Sequence, residues 1–399
     1  MVATQVVLPH GRALADELVA ELSHGGVRAE PVAAIRQAIE LIGEIVLVCD
    51  HAPSEVLAIL GRSRGVELNR IEGGLEGSIT LDHGPLYLRI RCTSPRGFVD
   101  AVLRESATAE HIAALEARAA ERGTTLAAIT HESADETAVY AALDLELISP
   151  ELRDDGSLES PAVLSAIRGV FHAHTTWSDG LLGVAPMARA ALERGLEYLG
   201  VSDHTRAAHY ANGLDIDRLR EQRREVTRAR REVPGITILH GVECDILEDG
   251  TLDLPDEELE PLDFVIASVH SHLDLPRGQQ TRRVMRALGH PHVSMLGHPT
   301  GRLLLAREPS QIDLDEVARA AAQNNVFLEM NTTAQRLDLS ANQARRAAAV
   351  GASFVINPDA HEPRGFDTLP FGVLLARRAR LSAERVLNTR SVDEVRSLL

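Results

Sequence analysis

Residues 169–180 read GVFHAHTTWSDG, a short apolar run that leads into His172-Ala-His174 and then a polar turn carrying Asp179. In an extended strand the side chains of residues i and i+2 point the same way, so one cation can take both imidazoles. Alone the motif is weak, because a histidine at a strand end is usually a satisfied structural group. The sequence around it decides the matter. Strand-like runs recur at 169–173, 198–203, 236–243, 263–270, 293–298, 326–331 and 353–358, and amphipathic helical patterns such as 184–195, 215–232, 313–324 and 340–350 separate them. Seven β/α units predict a barrel, whose chemistry belongs at the C-terminal ends of the strands. Metal-ligand residue types fall at those ends: His172, His174 and Asp179 after the first run, His204 after the second, Glu243 in the third, His270 in the fourth, His298 in the fifth, and Asp359 and His361 after the seventh. The sixth run, ending at Asn331, is read as lacking a ligand. Imidazoles mixed with carboxylates suit Zn²⁺, Mn²⁺ or Fe²⁺. His209, His240, His272, His290 and His292 stay outside the set as surface or supporting groups.

Upstream, ISPELRDDGSLESPAVLSAIR at 148–168 gathers Pro, Gly, Ser and acids between two more apolar regions. The expected division is a domain over 1–150, a linker over 151–167 and a second domain over 168–399. In the first, helical patterns at 10–24, 97–106 and 108–122 flank apolar runs at 43–49, 78–82 and 86–91, which reads as α+β. The expected fold class is thus α/β, a C-terminal distorted (β/α)7 barrel preceded by a smaller α+β domain. All 41 basic residues are arginine, against 58 acidic ones, for a net charge of −17. Lysine Schiff-base chemistry is excluded, and extensive gripping of a nucleic-acid backbone is disfavoured. Three scattered cysteines make neither a disulfide frame nor a zinc knuckle, so a reducing cytoplasm is expected, with no membrane span and no signal peptide.

The segments FHAHTTWSDG, GVSDHT, LHGVECD, IASVHSH, LGHPTGR and INPDAHE resemble the successive motifs of the PHP (polymerase and histidinol phosphatase) phosphoesterases over about 168–399. HPTGRLLLAREP, LEMNTTAQRLDLS and VLNTRSVDEV are similar to the PHP domain that ends bacterial and archaeal family X DNA polymerases. The resemblance implies a distorted seven-unit barrel with three divalent ions. His172, His174, Glu243 and Asp359 would hold the first, a bridging Glu243 with His270 and His298 the second, and Asp179, His204 and His361 the third. It also implies that 1–150 is a degenerate, nucleotidyltransferase-like palm and thumb. There Ala33-Ala34 stands where Gly-Ser is expected, and Glu44, Val46 and Tyr87 occupy the places of the three catalytic carboxylates. Two-metal nucleotidyl transfer needs those carboxylates, so polymerase activity is expected to be lost.

The expected reaction is hydrolysis of a phosphate ester by a hydroxide held between two ions, with Arg302 and Arg206 as phosphate-binding residues on the catalytic face and Arg336 as a third candidate. Three functions compete: 3′–5′ exonuclease or end processing at DNA 3′ ends; a phosphomonoesterase on small esters such as histidinol phosphate or a nucleotide; and a non-enzymatic DNA-binding scaffold, for which an intact ligand set has no use.

Overall fold

Residues 74–92 alternate polar and apolar side chains, and two-residue turns at Glu72-Gly73 and Asp82-His83 join residues 66–92 into a three-stranded meander. Gly73 has φ +76°, which its turn requires and a side chain would resist. The computed structural model describes residues 4–161, 164 and 166–399 and divides into two compact units, 1–162 and 163–399. Residues 162, 163 and 165 of the expected linker lie outside the described residues.

The first unit contains β1 (Val6–Val7), α1 (Leu8–His24), β2 (Ala29–Pro31), β3 (Leu41–Ile42), β4 (Glu44–Cys49), α2 (Pro53–Leu60), β5 (Val66–Ile71), β6 (Gly74–Leu81), β7 (Gly84–Cys92), α3 (Phe98–Glu105), α4 (Ala109–Glu121), α5 (Leu126–Glu132) and α6 (Glu136–Ala142). Its main sheet has the order β2-β4-β7-β6-β5, with β4 and β7 parallel and the other pairs antiparallel. Helix starts are written locally: the side chains of Thr108, Thr125 and Asp135 accept from the third backbone N–H of α4, α5 and α6. The unit is α+β, and α3 seals one face of β4 through Val32, Val46, Val48, Phe98, Ala101 and Val102. Glu151, Leu152 and Arg153, within the expected linker, are buried in this unit.

The second unit alternates strand and helix: β8 (Gly169–Val170), α7 (Val184–Glu193), β9 (Tyr198–Val201), α8 (Ile216–Glu232), β10 (Thr237–Asp245), α9 (Asp256–Leu259), β11 (Phe264–Ser268), α10 (Arg277–Leu288), β12 (Met295–Leu296), α11 (Leu314–Gln323), β13 (Phe327–Asn331), α12 (Ala341–Ala349), β14 (Phe354–Asn357) and α13 (Leu369–Arg378). The seven strands are parallel and lie in chain order. A bridge between Ala173 and Ala360 brings the first and last strands together, giving a nearly closed barrel. Phe171, Tyr198, Leu239, Phe264, Ile266, Met295, Phe327 and Val355 form its apolar core, joined by Leu387 and Val395. Asn388 fixes that C-terminal segment at the strand starts, donating to the carbonyls of Gly169 and Ile356. The polar side chains are thereby left to the opposite, C-terminal ends. Among the described residues no helix is long and apolar enough to cross a membrane.

Candidate metal centre

Glu243, near the end of β10, is fully buried and is the hub of the site. Its Oε2 lies 3.3 Å from His172 Nε2, 3.6 Å from His174 Nε2 and 2.9 Å from His204 Nδ1; its Oε1 lies 3.2 Å from His270 Nε2 and 2.9 Å from His298 Nε2. One carboxylate therefore faces two sets of imidazoles with different oxygens, the arrangement a bridging ligand needs. Asp359 Oδ1 lies 3.1 Å from His174 Nε2 and 3.5 Å from His172 Nε2. At the rim, Asp179 comes within 3.3 Å of His361, 3.8 Å of His174 and 3.8 Å of His204.

All nine expected residues are thus brought to one end of the barrel. Compact groups able to surround an ion are His172, His174 and Asp359; His204, Glu243 and His270; and His174, Asp179, His204 and His361. His174 and His204 are each shared between two groups, where the family resemblance gives each to one ion. His298 reaches the cluster through Glu243. None of the five histidines set aside from the sequence enters a group among the described residues.

The donor set fits divalent cations by a direct criterion. His172 Nε2, His204 Nδ1, His298 Nδ1 and Glu243 Oε2 are buried without a hydrogen-bond partner, a costly state for polar atoms. Two of them, His172 Nε2 and Glu243 Oε2, face each other at 3.3 Å, so a cation between them would satisfy both. Burial raises the Glu243 pKa, but the charges of His172, His270 and His204 outweigh it and hold the carboxyl well below its ordinary range. Burial lowers His270, yet Glu243 and Asp245 drive it up to about 10, while His174 is pushed down to about 4 by burial and by His361 and His204. Protons bind this cluster together, and metal ions displace such protons.

Two supporting carboxylates orient the imidazoles. Asp245 Oδ1 lies 3.1 Å from His270 Nδ1, and Glu329 Oε1 lies 2.7 Å from His172 Nδ1, leaving each Nε2 free for an ion. Glu329 also accepts from the backbone N–H of His298 at 2.6 Å and from Asn331 and Asn357. It sits on β13, the strand read from sequence as lacking a ligand, and it acts through His172 and His298. A charged residue inside the apolar run VFLEMN was the available signal. His298 and Asp359 adopt φ of +24° and +50°, strained conformations for side-chain-bearing residues of the kind that collect at functional sites.

The two expected phosphate-binding arginines donate to backbone carbonyls. Arg302 donates to the carbonyls of Arg336 and Leu337, and Arg206 to the carbonyl of Asp253 at 2.8 Å. Arg336 is the guanidinium beside the cluster, its Nε 3.6 Å from Asp359 Oδ2. In the first unit, Glu44 and Tyr87 are register partners on β4 and β7, but Glu44 is 3.4 Å from Arg89 and Val46 is buried beneath α3. Ala33 keeps φ +54°, the conformation that favours the glycine expected there. No carboxylate trio assembles in this unit among the described residues.

The PHP domain model matches residues 171–333, stopping short of Asp359 and His361. A DNA polymerase/3′-5′ exonuclease PolX of Bacillus subtilis (strain 168) is 39% identical over 267 residues, 65% of this chain and 47% of that protein. The chain thus spans about half the length of that curated relative. A probable phosphatase of Thermoanaerobacter sp. (strain X514) is 28% identical over 235 residues, covering 55% of this chain and 89% of that protein. A solved histidinol phosphate phosphatase from Lactococcus lactis subsp. lactis Il1403, complexed with zinc, L-histidinol and phosphate, overlays with a TM-score of 0.43 at 20% identity, covering 54% of this chain and 94% of that one. With strand-end imidazoles and carboxylates on a parallel seven-stranded barrel and the family match over 171–333, the second unit of this chain carries a PHP domain.

Proposed function

We propose that the chain is a metal-dependent phosphoesterase that hydrolyses phosphodiester bonds at DNA 3′ ends, as a 3′–5′ exonuclease or end-processing enzyme, with three divalent ions (Mn²⁺, Zn²⁺ or Fe²⁺) held by the nine residues above. The observation that carries the hydrolase reading is Glu243, whose two oxygens face separate imidazole sets among buried atoms that lack hydrogen-bond partners. Metal ions, when bound there, supply Lewis-acid stabilisation of charge on a phosphoryl group. This chain's own residues do the rest. Glu329 and Asp245 hold His172 and His270 in one orientation, and Arg336 offers positive charge at the rim. The choice of DNA is supported by the Bacillus subtilis relative, named as a polymerase and exonuclease and 39% identical. Polymerase activity is lost in this reading, since Glu44 is paired with Arg89 and Val46 is buried.

A second reading, a phosphomonoesterase on small esters, is favoured by the net charge of −17 and by relatives named as probable phosphatases. Metal-reconstituted protein should be offered a 5′-labelled single-stranded oligonucleotide, histidinol phosphate and a nucleotide monophosphate, with His172→Ala as blank. Stepwise shortening of the oligonucleotide is the expected result. Phosphate release from the small esters alone would overturn the DNA reading in favour of the second.

A further inference from the structure

The chain has one Trp, four Tyr and seven Phe in 399 residues, and among the described residues only Tyr87 and Tyr210 are exposed aromatics. Tyr210 is 72% exposed. Its ring centroid lies 6.1 Å from that of His204 and 6.3 Å from that of His270, at interplanar angles of 61° and 73°, so it stacks flat on neither. The ring thus stands at the mouth of the metal cluster, beside ligands that both reach Glu243, and largely in solvent.

Its support is tied down by hydrogen bonds. Tyr210 is the middle residue of the single turn His209–Ala211, in which Ala211 is buried and Asn212 closes the turn at φ +55°. Arg218 donates to the carbonyls of Asn212 and Gly213, and Leu214 N–H donates to the His204 carbonyl at 2.7 Å, tying the turn to a ligand-bearing loop. A large ring left in water on a fixed support gains nothing for the fold, because its burial is forgone. A preorganised aromatic face beside a phosphoester site is suited to a planar partner.

We propose that Tyr210 is the stacking platform of this site: its ring receives the nucleobase of the nucleotide that carries the scissile phosphate, and so selects nucleotides over sugar phosphates. The proposal rests on the phosphoesterase reading above and names its substrate class. Every base presents a π face, so the preference is for a base and not for a sequence.

The test compares wild type, Tyr210→Phe and Tyr210→Ala, each with metal content measured, on an oligonucleotide ending in an ordinary 3′ nucleotide and the same oligonucleotide ending in an abasic one. Wild type and Tyr210→Phe are expected to favour the ordinary end by roughly tenfold or more in kcat/KM, mostly through KM, and Tyr210→Ala to lose that preference while keeping its rate on the abasic end. An independent readout uses 2-aminopurine as the terminal base with Ca²⁺ as the added ion: binding should quench its fluorescence in wild type and Tyr210→Phe but not in Tyr210→Ala. Equal use of both ends by wild type, an equal loss on both ends in Tyr210→Ala, or unchanged quenching in Tyr210→Ala would overturn the proposal. Quenching without turnover would sink the exonuclease reading and leave the platform standing.

Discussion

With its proton on Nδ1, His172 donates to Glu329 Oε1 across 2.7 Å and presents Nε2 to Glu243 and Asp359. Glu329 therefore sets both the tautomer and the ring angle, and its second oxygen fixes the backbone of His298. Glu329→Gln should lower Mn²⁺ or Zn²⁺ affinity by about 10–100-fold, with a similar loss of hydrolysis, while circular dichroism stays that of wild type. Calorimetric titration of the metal-free protein with each ion measures this. An unchanged affinity would remove Glu329 from the site. Sequence reading found the nine strand-end residues because a barrel places chemistry at one predictable end. It missed Glu329 for the opposite reason: the residue lies mid-strand and faces inward, where position signals core. Sequence carries no record of the carbonyls of Arg336, Leu337 and Asp253 that Arg302 and Arg206 donate to.

Helix α3 changes what the first unit can do. It lays Phe98, Ala101 and Val102 over Val46 and Val48 of β4, and its Glu105 pairs with Arg89 and Arg91 of β7. Glu44→Ala should leave hydrolysis within about twofold of wild type, since it removes only a half-exposed ion pair worth about 0–1 kcal/mol. A large loss of rate would show that the strand still contributes chemistry. Helix α6 holds a buried charge cluster: Glu136 pairs with Arg153, which is fully buried, and with Arg36 at 2.6 Å. Burial raises the Glu136 pKa, but Arg153 and Arg36 outweigh it and hold the carboxyl below its ordinary value. The unfolded chain thus takes up this proton first as pH falls. The stabilisation is full above the unfolded carboxyl value, about 4.3, and fades as pH drops through the folded one. Glu136→Gln, which strands a buried guanidinium, should cost about 3 kcal/mol near neutrality, with the gap closing below about pH 4. Urea titrations across that range decide it, and a constant gap would contradict the assignment. The long periodic helices and apolar strands of this unit were readable, whereas β5, VELNRI, was not, because its side chains are half or fully exposed and leave no clean alternation.

At the scale of the whole chain, a net charge of −17 coexists with a barrel mouth that gathers Glu243, Asp359, Asp179, Asp245 and Glu329. Opposite faces of the barrel thereby do opposite work. Apolar contacts and Asn388 close the strand starts, while the strand ends concentrate negative charge that Arg336 and bound cations or protons offset. The bridge from Ala173 to Ala360 joins these demands, since the backbone that closes the barrel also brings His172 and His174 beside Asp359. Metal binding and folding of this unit should therefore be linked. A ligand that binds only the folded form at a hundred times its dissociation constant adds about 2.7 kcal/mol. For a unit of this size that raises the thermal midpoint by at least about 5 °C. Calorimetric melts of the full chain, stripped with chelator and then refilled with Mn²⁺ or Zn²⁺, should show that rise in wild type and little of it in His172→Ala. The result to look for is the difference between the two proteins. A rise of equal size in His172→Ala would mean that the ions stabilise the chain without the group built on His172, His174 and Asp359, and that group would lose its standing as a metal site.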